Sequence, residues 1–151
     1  MADRPLLREA TLANMNWNGE RFTLDDVDGS HELSHYFTRF PSGRDFGLAD
    51  IDGDTVRAVA WLVFLPAEDP GYGFVDADIP ELSITTFAGH RGQGIGSALL
   101  SELINQARSR GILGISLSVA DGNGARRLYD RAGFEVVGRS GSSDTMLLAL
   151  T

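Results

Sequence analysis

Neither cysteine nor lysine occurs among the 151 residues, and all 13 basic side chains are arginine. The missing cysteine removes a disulfide framework, a cysteine-based zinc site and a thiol nucleophile. The missing lysine removes Schiff-base chemistry, self-acetylation on lysine side chains and any phosphate loop of the G-x-x-x-x-G-K-[ST] kind. Basic charge is scarce as a whole: the formal net charge is −8. That balance argues against a nucleic-acid partner, which calls for a basic face toward the phosphates. It suits a cationic partner such as an amine, although surface acidity is often only solubility. Long apolar runs are missing too. The longest, around Ala58–Pro66, is far short of a membrane span. The first residues, Met1 to Glu9, lack the apolar core of a signal peptide. A cytoplasmic protein with no membrane partner is the expectation, and the absence of cysteine fits a reducing compartment.

The length is that of a single domain, 1–151, large enough to close a sizeable core. Leu6–Ala10 reads as a first strand, with Thr11 capping a short helix through Met15. Residues 16–30 read as polar turns, and Ser30–Phe40 as a helix stopped by Pro41. Asp52-Gly53 marks a hairpin between Phe46–Ile51 and Thr55–Leu65. Pro66–Pro80 is a Pro-, Gly- and Asp-rich loop, and Glu81–Phe87 a strand. Ile95, Ala98, Leu99, Leu103 and Ala107 follow helical spacing, and Gly111 suits the end of that helix. Leu113, Ile115, Leu117 and Val119 alternate as a strand. Asn123–Ala132 reads as a helix capped by Asn123 and ended by Gly133; Phe134–Gly138 and Thr145–Leu150 are closing strands. A mixed α/β sheet covered by helices follows.

Arg91-Gly92-Gln93-Gly94-Ile95-Gly96-Ser97 lies between a strand and an amphipathic helix. Glycines on alternate positions leave backbone N–H groups unshielded, and the helix N-terminus adds partial positive charge. Together they suit a pyrophosphate held by main-chain donors, with Arg91 adding a charge-assisted bond. A plain tight turn is the competing reading. A Rossmann fingerprint fails, because Ser97 or Leu99 stands where its last glycine belongs. A second motif follows, Asn123-Gly124-Ala125-Arg126-Arg127-Leu128-Tyr129-Asp130-Arg131-Ala132-Gly133-Phe134. The pair resembles the GNAT superfamily of N-acetyltransferases, whose [QR]-x-x-G-x-[GA] turn is matched by Arg91, Gly94 and Gly96. The resemblance covers about residues 81–138.

The resemblance implies a central mixed sheet of about six to seven strands flanked by about four helices. It implies an acetyl-CoA cosubstrate in a V-shaped opening between two parallel strands, here those at 82–87 and 112–119. Main-chain groups of Ile84, Thr85 and Thr86 would pair with the pantetheine arm. The turn from Gly92 to Ser97 (Gly92, Gln93, Gly94, Ile95, Gly96, Ser97), with Arg91, would hold the pyrophosphate. Asn123 would contact the cofactor arm, or simply cap its helix. Tyr129 would be the general acid for the departing thiolate, since a phenol near pKa 10 can protonate a thiolate whose acid lies at about 8.5; a buried aromatic is the plainer reading. Glu81 is placed where the family often has a catalytic base, or is an exposed strand-end carboxylate; Asp76, Asp78 and His90 are fallback bases. Asp76, Asp78 and Glu81 could instead form an acidic mouth.

The function expected is transfer of an acetyl group from acetyl-CoA to a primary amine, small-molecule or peptide, by direct attack. Asn14, Asn16, Trp17, Tyr36 and Tyr72 are candidates for the acceptor pocket. A non-catalytic acyl-CoA-binding regulatory module would keep the glycine turn without needing Tyr129. Dimerisation is common among GNAT-like proteins, and no feature of this sequence fixes a homodimer. His31-Glu32-Leu33-Ser34-His35 literally matches the H-E-x-x-H of zinc peptidases. No extended zinc pattern follows, and Leu33, Tyr36, Phe37 and Phe40 make the segment an amphipathic helix, so no metal site is expected.

Overall fold

The computed structural model describes residues 4–150. Five helices and six strands run in the order α1 (Arg4–Met15), α2 (Leu24–Asp28), α3 (His31–Thr38), β1 (Phe46–Asp52), β2 (Thr55–Val63), β3 (Glu81–Thr86), α4 (Ile95–Ser109), β4 (Gly114–Ala120), α5 (Arg126–Ala132), β5 (Glu135–Ser140) and β6 (Ser143–Ala149). The strands form one sheet in the order β1-β2-β3-β4-β6-β5. All neighbours are antiparallel except β3 and β4.

Side chains alternate across the sheet and create two cores. Ala58, Ala60 and Leu62 of β2, Leu82 of β3 and Ile115, Leu117 and Val119 of β4 pack under α4, with Tyr129 and Phe134 joining from the α5 end. Val59, Trp61 and Val63 of β2 pack on the opposite face under α1 and α3, against Leu7, Ala10, Tyr36 and Phe37. Trp61 is fully buried, and its indole N–H donates to the Tyr36 carbonyl at 3.0 Å, which fixes α3 on the sheet.

Five local expectations are corrected. Leu6–Ala10 is not a strand but lies within α1, because Leu7, Ala10 and Thr11 are the buried residues and recur at helical spacing. Thr11 does not cap a helix; its hydroxyl donates to the Leu7 carbonyl one turn back, at 2.8 Å. Part of the 16–30 segment is the short helix α2, held by a reciprocal cap between Thr23 and Asp26. Helix α5 starts at Arg126 rather than Asn123, whose side chain instead accepts from the Ala125 N–H at 3.0 Å, within a turn before the helix. The closing hairpin is longer than expected, with Phe134 outside it in the core.

Candidate active site

Strands β3 and β4 are joined only at one end. Glu81 pairs with Ser116, and the Ser116 N–H donates to the Pro80 carbonyl at 3.0 Å; no further pair joins them. Past that point the strands part. Backbone groups in a strand alternate between its two neighbours. The Phe87 N–H faces β2, donating to Arg57 at 2.9 Å, so the odd-numbered main-chain groups of β3 face β2 and the even-numbered ones face β4. Ile84 therefore turns its N–H and C=O toward the opening, while Thr85 pairs with Val59 on β2. The Thr85 hydroxyl is engaged by the Ala10 carbonyl and by Asn14, at 3.2 and 2.6 Å. The Thr86 carbonyl accepts from Arg91 Nε at 3.0 Å, which draws the glycine turn against the end of β3.

That turn has the conformation its glycines allow. Gly92 and Gly94 sit at φ +77° and +78°, a region closed to most other residues, and a side-chain carbon on either would touch no protein atom within 4 Å. Gly94 is the N-cap of α4 and provides no side-chain cap to the first turn, Ile95-Gly96-Ser97. Gly96 lies close under Thr86, where a Cβ would stand 3.0 Å from Oγ1. Gln93 is exposed and donates weakly to the Gly89 carbonyl.

The opening belongs to a cleft of about 1040 Å³. Glu81, Ile84, Thr85, Thr86, Arg91, Gly92, Asn123 and Tyr129 all line it, as do Asn14, Trp17, Tyr36 and Tyr72. Gly94 to Gly96 do not reach its wall; Ser97 lies in a separate depression between α4 and α5. Asn16 is not a wall residue: it braces the loop after α1, accepting from the Arg21 and Phe22 N–H groups and donating to the Phe22 carbonyl. Asp76 and Asp78 are exposed, and neither they nor His90 are among the residues that line the cleft, so they do not form an acidic mouth with Glu81 on its wall.

Glu81 is not an exposed strand-end carboxylate. It is 4% accessible, and its Oε1 accepts from the Tyr36 hydroxyl at 2.5 Å and the Gly73 N–H at 2.8 Å. Oε2 is buried without a partner among the described residues. Burial raises the Glu81 pKa to about 7, although both hydrogen bonds pull it back down. Burial, reinforced by the Glu81 carboxylate, pushes the Tyr36 phenol far above its ordinary value, so Tyr36 stays a donor. Its oxygen also accepts from the Tyr72 N–H at 2.7 Å. The 71–73 loop thus closes over Glu81. A Cβ on Gly71 would fall 2.0 Å from Glu81 Oε2, and one on Gly73 2.4 Å from the Leu117 carbonyl carbon.

Tyr129 is 8% accessible and packs edge-to-face on Phe134, centroids 5.9 Å apart. Burial raises its pKa to about 12. Glu81 projects to the face of α1 and α3, Tyr129 reaches in from α5 on the other, and the gap between β3 and β4 joins them.

The H-E-x-x-H match has a structural use. His31 Nε2 and His35 Nδ1 both meet Asp69 Oδ1, at 2.9 and 3.0 Å, and Arg39 meets Oδ2 at 3.3 Å. The group ties α3 to the loop that leads to Gly71. Glu32 points away, exposed beside Ser30.

A model of the acetyltransferase (GNAT) family matches residues 11–134. The chain belongs to that family. Among curated proteins no match is found. Solved GNAT-type structures superpose over nearly the whole chain. A protein from Salmonella typhimurium, solved with its cofactor acetyl-CoA, is 25% identical with a TM-score of 0.66, covering 99% of this chain and 89% of that one. The ribosomal-protein-alanine N-acetyltransferase of Brucella melitensis is 26% identical with a TM-score of 0.64, covering 97% and 94%. An N-acetyltransferase from Thermoplasma acidophilum, in complex with coenzyme A, is 18% identical with a TM-score of 0.64, covering 99% and 95%; it shares the fold. The GNAT fold expected is the one observed: among the described residues it has six strands, and five helices rather than about four.

Among the described residues no helix is long and apolar enough to cross a membrane. The strand gap, the left-handed glycines and the uncapped start of α4 fit a long thioester cosubstrate with a diphosphate. Sequence reasoning missed Arg21, Phe22, Gly71 and Gly73. Arg21 and Phe22 line the cleft from a segment without periodicity, and the glycines sit in a loop whose path only the fold reveals.

Proposed function

We propose that the protein is an acetyl-CoA-dependent N-acetyltransferase acting on a primary amine in a ternary complex. The observation that carries this reading is the cleft that joins Glu81 and Tyr129 through the β3–β4 gap. Acetyl-CoA supplies an activated thioester carbonyl. Ile84 and the Gly92–Ser97 turn, with Arg91, are the residues we assign to holding it, with Asn123 along the arm. Thr86 contributes its N–H, whereas its carbonyl is taken by Arg91.

Glu81 takes the proton that the acceptor nitrogen sheds on attack. A carboxylate with a pKa of about 7 is both ionised and basic enough for this near neutrality. Its Oε2 has no hydrogen-bond partner among the described residues, which leaves an acceptor for the proton that the amine sheds. Tyr129 gives its proton to the departing sulfur. At a pKa of about 12 it remains protonated throughout the working range, so it is always in donor form. With no cysteine in the chain, an acyl-enzyme through a thiol is excluded, and holding amine and thioester together supplies much of the rate.

The test is release of free CoA with a panel of primary amines, products identified by mass, using parent, Tyr129→Phe and Glu81→Gln. Acetylated product that falls sharply in both variants supports the assignment. Tight CoA binding with no product from any amine would instead make the chain a binding module, and no CoA affinity would remove both readings.

A further inference from the structure

The charges that line the cleft are unevenly divided, and this bears on the acceptor. Glu81 is its one carboxylate among the described residues, and one of its oxygens is already engaged by Tyr36 and Gly73; the arginines are Arg21, Arg91, Arg127 and Arg131. A cleft built for a polycation would show several exposed carboxylates. Arg91, Arg127 and Arg131 belong to the glycine turn and to α5, on the side assigned above to the acyl donor and its phosphates. Arg21 is different. It stands in the connection between α1 and α2, two helices that pack on the sheet face with Tyr36, the partner of Glu81.

Arg21 is also prepared for a ligand. The loop around it is held by three hydrogen bonds to the Asn16 side chain, 2.9–3.1 Å long. Its guanidinium lies over the Phe22 ring, 5.5 Å from the centroid. Like the other cleft arginines, Arg91, Arg127 and Arg131, it has no carboxylate partner among the described residues, but it is the one that lies outside the glycine turn and α5. Beside it, the Trp17 ring comes within 3.8 Å of a Cβ placed on Gly122, so the loop reaches across to the turn before α5 and roofs the cleft. Trp17, Phe22, Tyr36 and Tyr72 give the same cleft an aromatic wall.

We propose, resting on the acetyltransfer reading above, that the acceptor is an amine that also bears a carboxylate, with an apolar or aromatic body. Arg21 binds the carboxylate, the aromatic wall takes the body, and the amine nitrogen is left toward Glu81. Arg21 is a specificity residue and takes no part in the proton transfers. A guanidinium suits this task because it can meet both carboxylate oxygens at once.

The test compares three amines of one skeleton: phenylalanine, its amide, and phenethylamine, with spermidine as polycation and 1-amino-2-phenylethylphosphonic acid as alternative anion. Initial rates with acetyl-CoA are paired with calorimetric binding of each amine to the CoA-loaded protein. The expected result is that phenylalanine has the highest kcat/KM of the five. Arg21→Gln should raise the KM for phenylalanine about 10–100-fold with kcat little changed, the size of a lost charge-assisted pair. The same change should leave phenethylamine turnover and the KM for acetyl-CoA as they were, and Arg21→Lys should restore part of the loss. Arg21 is exposed, so these variants are expected to fold. Preference for phenethylamine or spermidine, preference for the phosphonate, or equal effects of Arg21→Gln on charged and uncharged amines would each overturn the proposal while leaving acetyl transfer intact. Absence of acetylation with every amine and of amine binding would overturn it together with the reading it rests on.

Discussion

At Glu81 the cost of burial and the use of the residue are the same physical fact. Moving a carboxylate out of water disfavours its charged form, and the Tyr36 and Gly73 donors recover only part of that. The folded pKa, about 7, lies above the ordinary value of 4.5. The group is thus more easily protonated in the folded state. Its favourable contribution is fully present below about pH 4.5 and is lost as pH rises through 7. Denaturant melts of the parent should show that loss, on the order of 3 kcal/mol for this group. Glu81→Gln, which cannot ionise, should show a flatter stability between pH 5 and 8, and equal pH slopes in the two proteins would contradict the shifted pKa. Catalysis follows the opposite sign, because the base must be ionised: kcat/KM should fall as pH drops through about 7. Tyr129→Phe keeps the ring that packs on Phe134 and removes only the proton donor. It should lower kcat about 100-fold, the usual scale for a lost general acid, with melting temperature and CoA affinity nearly unchanged; an unaltered kcat would leave Tyr129 as packing. The role of Tyr129 rests on that variant, but its position on the cleft was legible in the sequence because the motif is local. The Tyr36–Glu81 bond was not, because the two residues are 45 positions apart and neither has a neighbour that announces the other.

The elements divide by how much of their cause is local. The helix at 95–109 and the strands at 46–63 and 114–120 carry their periodicity openly, and they formed where the pattern predicts. Helix α1 did not read correctly because two adjacent leucines and a short apolar run fit either period. The decision comes from the Val59, Trp61 and Val63 surface that Leu7 and Ala10 cover. Helix α2 did have a local signal, Thr23 and Asp26 at capping-box spacing, obscured by a run of aspartates that also suits turns. The glycine elements make two contrasting predictions. At Gly94 the constraint is conformational, so Gly94→Ala should cost about 1–2 kcal/mol of left-handed strain and weaken CoA binding. At Gly71 the constraint is space: a Cβ collides with Glu81 Oε2 and with the Tyr36 hydroxyl. Gly71→Ala should lift the 71–73 loop and admit water to Glu81. Its acid limb should then move below 7, toward ordinary carboxylate values, with CoA affinity retained. A pH–rate profile that does not move would show that the loop is not what keeps Glu81 dry.

The whole molecule is two cores on a sheet with a built-in defect. A continuous sheet would pair β3 and β4 along their length, and here one bridge at Glu81 and Ser116 holds them. The gap leaves main-chain groups of Ile84 on β3, and by the same alternation of Ser118 on β4, without strand partners across it. This architecture could not be read from periodicity, since each strand has ordinary alternation and the divergence is a relation between them; it entered only through the resemblance to a family. The gap also sets how the molecule should answer its proposed cosubstrate. A ligand that pairs with those groups stabilises the folded state by mass action, about 2.7 kcal/mol at one hundred times its dissociation constant. For a domain of this size that is roughly a 5–10 °C rise in melting temperature. Hydrogen exchange locates the effect. On adding CoA, the Ile84 and Ser118 amides and the first-turn amides of α4 should slow most. The amides of Val59 and Trp61, already inside the β1–β2–β3 ladder, should respond only through the global gain in stability. A melting shift accompanied by uniform protection throughout the sheet would mean that CoA binds elsewhere than in the gap, and the acid and base placed on either side of it would then lose the geometry that assigns them.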